Sequence, residues 1–272
     1  MAKIAVIGGG IAGLTAAHWL RRRKHALVLL EAEARLGGQI HTEHSRGHCI
    51  ELGAEGFVRK SDALPQLAAA VGMRTELLEQ SLTRSLGFRA GTLRELAPGE
   101  AASFLGFQVA RQDLGAGIRT FVRGMGSLTD AIAASLEGQI ELRTQTVVKS
   151  LERSARGYRV TTDDGVVVDA DKLVIATPAR VAARLLSGVI GSPAEDLAKV
   201  TLTSSVTVPL AYRREHVPHP LDATGFVIAT EDQLHGARAC TFTTAKFAER
   251  SPEGETSLRV FFRPSDDDIK LV

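Results

Sequence analysis

The chain has 272 residues, 44% of them apolar and 24% charged, enough to build one large or two ordinary globular domains. Thirty-three basic against thirty-one acidic side chains leave a net charge of +2, which implies no nucleic acid or other strongly anionic partner. Cys49 and Cys240 have no C-x-x-C spacing, so they make neither a disulfide framework nor a zinc site and read as buried thiols in a reducing cytoplasm.

Taken in order, Lys3 to Ile7 predicts a short apolar strand, and Gly8-Gly9-Gly10-Ile11-Ala12-Gly13 supplies G-x-G-x-x-G. Leu14 to Arg23 has helical apolar spacing, and His25 to Leu30 predicts a second strand with Glu31 at its end. Each glycine has a mechanical reason. Gly8 permits the tight turn, Gly10 lets the backbone approach a pyrophosphate, and Gly13 lets the helix pack close to the strand. The phosphates then meet the helix N-terminus, and Ile11 and Ala12 of the glycine turn are counted among the cofactor-binding residues. Glu31 is placed to accept hydrogen bonds from an adenosine ribose, and its charge repels a 2′-phosphate, which disfavours NADP.

The run Ile4 to Leu20 is apolar enough to suggest a membrane span or signal peptide, but its four glycines and strand-turn-helix punctuation explain it better. Arg21-Arg22-Arg23-Lys24 reads as a solvated helix C-terminus. The stretch Ala32 to Ile40 is a loop with a cation, Arg35, and paired glycines, Gly37 and Gly38. It reads either as a second close approach to phosphate or as a plain turn. Ile40 to Glu43 and His48 to Leu52 alternate around Ser45-Arg46-Gly47 as a hairpin. No internal repeat or low-complexity tract follows.

These residues carry a family resemblance. Gly8 to Gly13, Leu29-Leu30-Glu31-Ala32, Arg35-Leu36-Gly37-Gly38 and Glu51-Leu52-Gly53-Ala54-Glu55-Gly56-Phe57 are similar to the N-terminus of FAD-dependent amine-oxidase-type flavoproteins. Within that group the chain most resembles the protoporphyrinogen and coproporphyrinogen oxidases of haem synthesis. The resemblance implies that the loop of Arg35, Gly37 and Gly38 lies along the FAD phosphates and that Gly53 and Ala54 lie near the flavin.

Further on, Phe121 to Leu128 resembles the family's Gly-Met-x-x-Leu segment and is expected to open a helix running through Ala131 to Leu136. Strands are expected over 140–144, 146–151, 158–162 and 165–168. Asp171 to Ala179 resembles the strand that returns to the nucleotide domain before a helix, Arg180 to Leu186. The resemblance implies that Val147 or Val148 contacts the adenine, although a buried valine on a strand is also the ordinary expectation. Segments 204–212, 224–229, 238–242 and 257–262 read as strands of an antiparallel sheet, and Gly225 to Ile228, Cys240 to Thr243 and Lys246 to Arg250 resemble the sheet of the family's substrate domain.

The resemblance has two departures. Where the family carries a long, mainly helical insertion that forms much of the substrate pocket and the membrane-facing surface, only about Ser81 to Thr120 stands here. The family also ends on a Gly-rich strand-to-helix segment over the flavin, whereas this sequence ends at Asp266 to Val272, which reads as a helix start. The expectation is a shortened member that turns over porphyrinogen slowly or not at all, because misplacement of about 1 Å already costs on the order of a hundredfold in rate.

Other chemistry finds little support. His41, His44 and His48 have ligand-like spacing, but on a hairpin they face different ways and no Cys or Asp cluster joins them. His216 to Pro220 reads as a solvated loop, and the acids at 231–232 and 266–268 as exposed charges. No G-x-S-x-G elbow is present. Arg84 and Arg89 are candidates for pairing with substrate propionates, against the commoner reading as exposed surface arginines.

The sequence is therefore read as α/β, a Rossmann-like FAD-binding domain with a second α+β substrate domain built on an antiparallel sheet. The expected bounds are 1–58 and 118–195 for the first and 59–117 and 196–272 for the second. The expected activity is transfer of a hydride from a porphyrinogen-like small molecule to FAD and of electrons to dioxygen, with peripheral contact to a membrane left open. Three alternatives remain: another amine-oxidase-type flavoprotein, such as an amine oxidase or carotenoid desaturase; a catalytically impaired FAD-binding remnant; and an NAD-dependent dehydrogenase using the same βαβ unit.

Overall fold

The opening residues fold as a βαβ unit: strand Lys3–Ile7, helix Ile11–Arg21 and strand Ala26–Leu30. In the computed structural model, which describes residues 1–58, 62–104, 117–247 and 249–264, the chain divides into two compact units. The first comprises Met1–His41, Leu67–Met73 and Gly126–Leu202, and the second Thr42–Gln66, Arg74–Met125 and Thr203–Val272.

The first unit is built on a four-stranded parallel sheet in the order Glu141–Arg143, Ala26–Leu30, Lys3–Ile7, Lys172–Ile175. Ile4, Val6, Leu27 and Leu29 are buried on one face, and Ala5, Ile7, Val28 and Leu30 on the other. Burial of both faces is why these strands read as continuous apolar runs rather than alternating ones. The Ala5 face shares a core with Val148, Leu151, Val160 and Val168 of a three-stranded antiparallel sheet, Val148–Ser154, Gly157–Thr162 and Val167–Ala170, and with Leu185 of helix Ala179–Ile190. Helix Ile11–Arg21 is tied to helix Gly126–Leu136 by His18 Nδ1, 2.9 Å from Ser135 Oγ.

The second unit carries a six-stranded sheet in the order Val206–Arg213, Glu255–Phe262, Ala237–Phe242, Gly225–Ile228, Leu86–Arg89, Thr92–Glu95. It departs from the expected antiparallel sheet at one place, because Gly225–Ile228 pairs with Leu86–Arg89 in parallel. The hairpin Thr42–Ser45 with His48–Glu51 and the small sheet of Phe57–Val58, Ile118–Phe121 and Leu77–Glu79 complete it.

Several local expectations shift. Segment 42–58, read from sequence with the nucleotide unit, lies in the second unit, where Cys49 N donates to Arg250 O at 3.1 Å. Phe121 ends a strand, and the helix expected there begins only at Gly126. The reason is Gly124, with φ +86°, where a Cβ would stand 2.3 Å from Thr42 Cγ2; the chain turns there before the helix starts. The helix expected at 266–268 lies outside the described residues. Cys49 and Cys240 are both buried, free thiols, and burial pushes Cys240 up to about 11. Among the described residues no helix is long and apolar enough to cross a membrane.

Candidate functional site

In the first unit the two glycine-bearing loops lie against each other. Gly37 N donates to Gly9 O at 2.8 Å, and Gly10 and Gly37 form an isolated parallel bridge. Gly8 has φ +104°, and a Cβ on it would meet Ala176 O at 2.7 Å. A Cβ on Gly13, inside the helix, would stand 1.8 Å from Gly8 O. Gly10 is different: the nearest atom to its ideal Cβ is Gly38 Cα at 3.8 Å. Two glycines are thus demanded by protein packing, while Gly10 keeps an approach clear in front of the helix. That helix starts without a side-chain cap, so its first-turn N–H groups have no partner within the helix.

Glu31 sits beside this turn, 9% exposed. Its Oε2 accepts from Gly9 N, and its Oε1 accepts from Glu33 N at 2.9 Å. Thr146 N donates to Glu31 O at 2.8 Å, which brings the start of the next strand alongside; Val148 is buried there and Val147 is exposed. Arg35 folds its own loop, with Nη1 donating to Leu36 O and Ile40 O, both at 2.8 Å, and Nη2 donating to Gly38 O. Ala32 and Gly38 are exposed, as is Ala12 in the first helical turn.

In the second unit, buried charge surrounds the Glu51 to Phe57 segment. Glu51 accepts from Thr42 Oγ1 at 2.6 Å and from Met125 N at 2.7 Å, with the Arg250 guanidinium 3.6 Å away. Burial pushes the Glu51 carboxyl above its usual range, against the pull of those hydrogen bonds and of Arg250. Arg250 has no exposed surface; it also donates to Thr120 Oγ1 and Phe121 O, each at 3.0 Å, and contacts Cys49 Sγ. Glu55 pairs with Lys246 at 2.5 Å. Arg259 donates to Gly53 O, and burial holds its guanidinium below the usual value. Beside the cluster is a cavity of about 550 Å³ between hairpin residues 45–51 and strands Val206–Arg213 and Glu255–Phe262.

Residues 75–272 match the family described as flavin containing amine oxidoreductase, and residues 6–71 match the NAD(P)-binding Rossmann-like domain. The chain belongs to the flavin containing amine oxidoreductase family. It is 24% identical to coproporphyrinogen III oxidase of Bacillus subtilis, over 97% of this chain and 78% of that one. It is 26% identical to the Mycobacterium tuberculosis protein of the same name, over 90% and 73%. The Bacillus match runs over 370 positions although this chain has 272 residues, so the relative carries internal segments that have no counterpart here. Among solved structures, one from Exiguobacterium assigned as a protoporphyrinogen oxidase superposes with a TM-score of 0.81 at 21% identity, covering 99% of this chain and 80% of that one. A redesigned putrescine oxidase gives 0.73 at 14%, covering 99% and 77%. At these identities the superpositions speak for the fold alone.

For this flavin oxidoreductase, the structure brings Gly8, Gly10, Ile11, Ala12, Gly13, Glu31, Arg35, Gly37 and Gly38 to one turn, with Val147 and Val148 following the residue bonded to Glu31. Gly53 and Ala54 lie in the second unit, Gly53 under Arg259. Arg84 and Arg89 are engaged elsewhere: Arg84 pairs with Glu95 and Asp222, and Arg89 with Glu231 at 2.9 Å. Neither lines the 550 Å³ cavity. Arg84→Gln is expected to leave the melting temperature close to that of the wild type, as for exposed ion pairs, and to leave flavin content unchanged. Thermal melts and visible spectra check this, and a colourless R84Q protein would contradict it.

Sequence reasoning passed over Gly9, Lys246, Arg250 and Arg259. For Gly9 the signal was present, since a Cβ would meet Leu36 Cδ2 at 2.6 Å and Glu31 Oε2 at 3.0 Å in the neighbouring motifs. The three cations lie about two hundred positions from their partners and carry no local pattern.

Proposed function

We propose that this protein binds FAD and oxidises a porphyrinogen of the coproporphyrinogen type, with dioxygen as the electron acceptor. The first unit would hold the nucleotide and the second would serve as the substrate-type domain. The glycine turn, its clear approach at Gly10 and Glu31 support a dinucleotide without a 2′-phosphate. The observation that carries the substrate is that relatives named coproporphyrinogen III oxidase match over 97% and 90% of this chain. When bound, the flavin supplies the hydride acceptor, and the protein's part is to bind, orient and exclude water.

An amine substrate is the second reading. A 78-residue stretch is 46% identical to bovine peroxisomal N(1)-acetyl-spermine/spermidine oxidase, although it spans 27% of this chain. Anaerobic mixing separates the two. Coproporphyrinogen III should bleach the flavin bands and N1-acetylspermine should not; the reverse result would replace the porphyrinogen reading with the amine one. The cofactor is checked first by the visible spectrum and by identifying what heat releases, and a protein that took up NADPH but no FAD would end the proposal. Glu31→Ala should weaken FAD binding by the worth of a charged hydrogen bond, about 1.5–3 kcal/mol. Unchanged affinity on titration would remove Glu31 from the site.

A further inference from the structure

One edge of the first unit's parallel sheet concentrates cations that dinucleotide binding does not use. Helix Ile11–Arg21 runs out into Arg22, Arg23 and Lys24, all exposed, and among the described residues none of the three pairs with a carboxylate. The strands that start at the same edge add Lys3, in register with Ala26, and Lys172, in register with Ile4. Arg156 joins them from the turn before Gly157, where a Cβ would stand 2.9 Å from Asp171 Cα. Acids at this edge are fewer. Asp171 already accepts from Lys3 N at 2.7 Å and Glu141 already holds Arg143, which leaves Glu137. The whole-chain charge of +2 averages this concentration away. A helix C-terminus does attract cations, but its dipole is equivalent to about half a charge and acts within the last turn. That accounts for one cation and not for the run Arg21 to Lys24. Lys24 is moreover held at φ +56°, in the left-handed region where glycine usually follows a helix, so a cation stands where a plain turn would favour glycine.

Trp19, the chain's single tryptophan, is 42% exposed in the last turn of the same helix, with the Arg22 guanidinium 5.3 Å from its ring centroid. An exposed indole beside unpaired cations suits the boundary between anionic lipid and water, where the ring sits at headgroup level and the cations meet phosphates. We propose that this edge docks on an anionic phospholipid surface, with Trp19 entering the headgroup region and Arg22, Arg23, Lys24, Lys3 and Lys172 facing the phosphates. It belongs to the first unit, apart from residues 81–120, which stand where the resembling family carries its membrane-facing insertion. It is also apart from the glycine turn: the helix of 11 residues between them is about 16 Å long, so lipid and dinucleotide do not compete. A nucleic acid strand would require a groove that tracks its backbone, and none of these cations lines the 550 Å³ cavity or the smaller one of about 230 Å³.

The single tryptophan makes the unaltered chain its own reporter. The purified full chain is titrated with vesicles of phosphatidylcholine, with and without phosphatidylglycerol, and binding is read by co-sedimentation and by Trp19 emission. Affinity for the phosphatidylglycerol vesicles should be at least about tenfold higher and should fall at high salt. Trp19 emission should move to the blue on those vesicles and be quenched by lipids brominated on their acyl chains. R23Q/K24Q should bind about twenty-fivefold more weakly, at about fivefold per cation. Its flavin content and melting temperature should match the wild type, since both side chains are exposed at the end of the helix away from Gly10. R84Q, in the second unit, should bind vesicles like the wild type. The comparison of the two vesicles needs no variant, so a misfolded R23Q/K24Q leaves the test intact. Equal partition to both vesicles, binding that leaves Trp19 emission unmoved, or a folded R23Q/K24Q that binds like the wild type overturns the proposal. So does an absence of vesicle binding together with tight binding of a single-stranded oligonucleotide or of polyglutamate, which would give the edge to a nucleic acid or to an acidic protein.

Discussion

Gly13→Ala is expected to destabilise the protein by at least about 3 kcal/mol, the upper part of the range for overpacked sites, and to abolish flavin retention. The added methyl carbon would stand 1.8 Å from Gly8 O and 3.0 Å from the carbonyl carbon behind it. No rotamer relieves a clash made by Cβ itself, so the helix must move off the strand. That movement would also undo the register in which Gly9 O accepts from Gly37 N. Gly10→Ala is the contrast. Gly10 has φ −70° and ψ 178°, which alanine adopts freely, and its Cβ would meet only Gly38 Cα, at an ordinary contact distance of 3.8 Å. Its melting temperature should stay near wild type, within about 0.5 kcal/mol of stability, while flavin content falls at least about tenfold because the methyl stands where the phosphates approach. Thermal melts and flavin-to-protein ratios of both variants decide this. If G10A kept its flavin, or G13A melted like the wild type, the division between packing glycine and ligand glycine would be wrong.

The same division explains what could be read from the sequence. The βαβ unit was legible because each requirement is local: Lys3–Ile7 and Ala26–Leu30 are apolar on both faces, and the turn needs glycine at fixed spacing. The helix start was placed late, at Leu14 instead of Ile11, because glycine inside a helix reads as a loop and Gly13 is there for close packing rather than for a turn. The later strands were found to within a few residues, but periodicity does not report pairing partners. The parallel pairing of Phe226 with Leu86 joins segments 140 positions apart and left no trace in either. The ionic cluster was hidden for the same reason. Lys246 and Arg259 meet Glu55 and Gly53 across separations of 191 and 206 positions, and taken singly each reads as a surface cation. Arg84 and Arg89 drew attention by chain position, and the fold pairs them with carboxylates at the surface.

Arg250→Met should be the most damaging change in the second unit, about 3–5 kcal/mol at neutral pH, the cost of leaving a buried partner charge uncompensated. The partner is Glu51, whose side chain is 2% exposed and 3.6 Å from the guanidinium. The sign of the pH dependence follows from the direction in which Glu51 is shifted. Burial raises its carboxyl in the folded state, so between the unfolded and folded values the folded chain binds more protons, and the stability due to this group falls as pH rises through that window. Removing Arg250 takes away one of the two positive charges that hold Glu51 down, which widens the window upward. The loss in R250M should therefore be smaller at pH 4, below the unfolded value, than at pH 7. Replacing the carboxylate with a neutral amide removes both the charge and its titration, so R250M/E51Q should be more stable than R250M at pH 7, with a deficit relative to wild type that no longer grows across the window. Denaturant titrations of the four proteins at the two pH values close the cycle. An R250M deficit that is equal at both pH values and unrelieved by E51Q would mean that Arg250 acts through its bonds to Thr120 and Phe121 and not through the charge on Glu51.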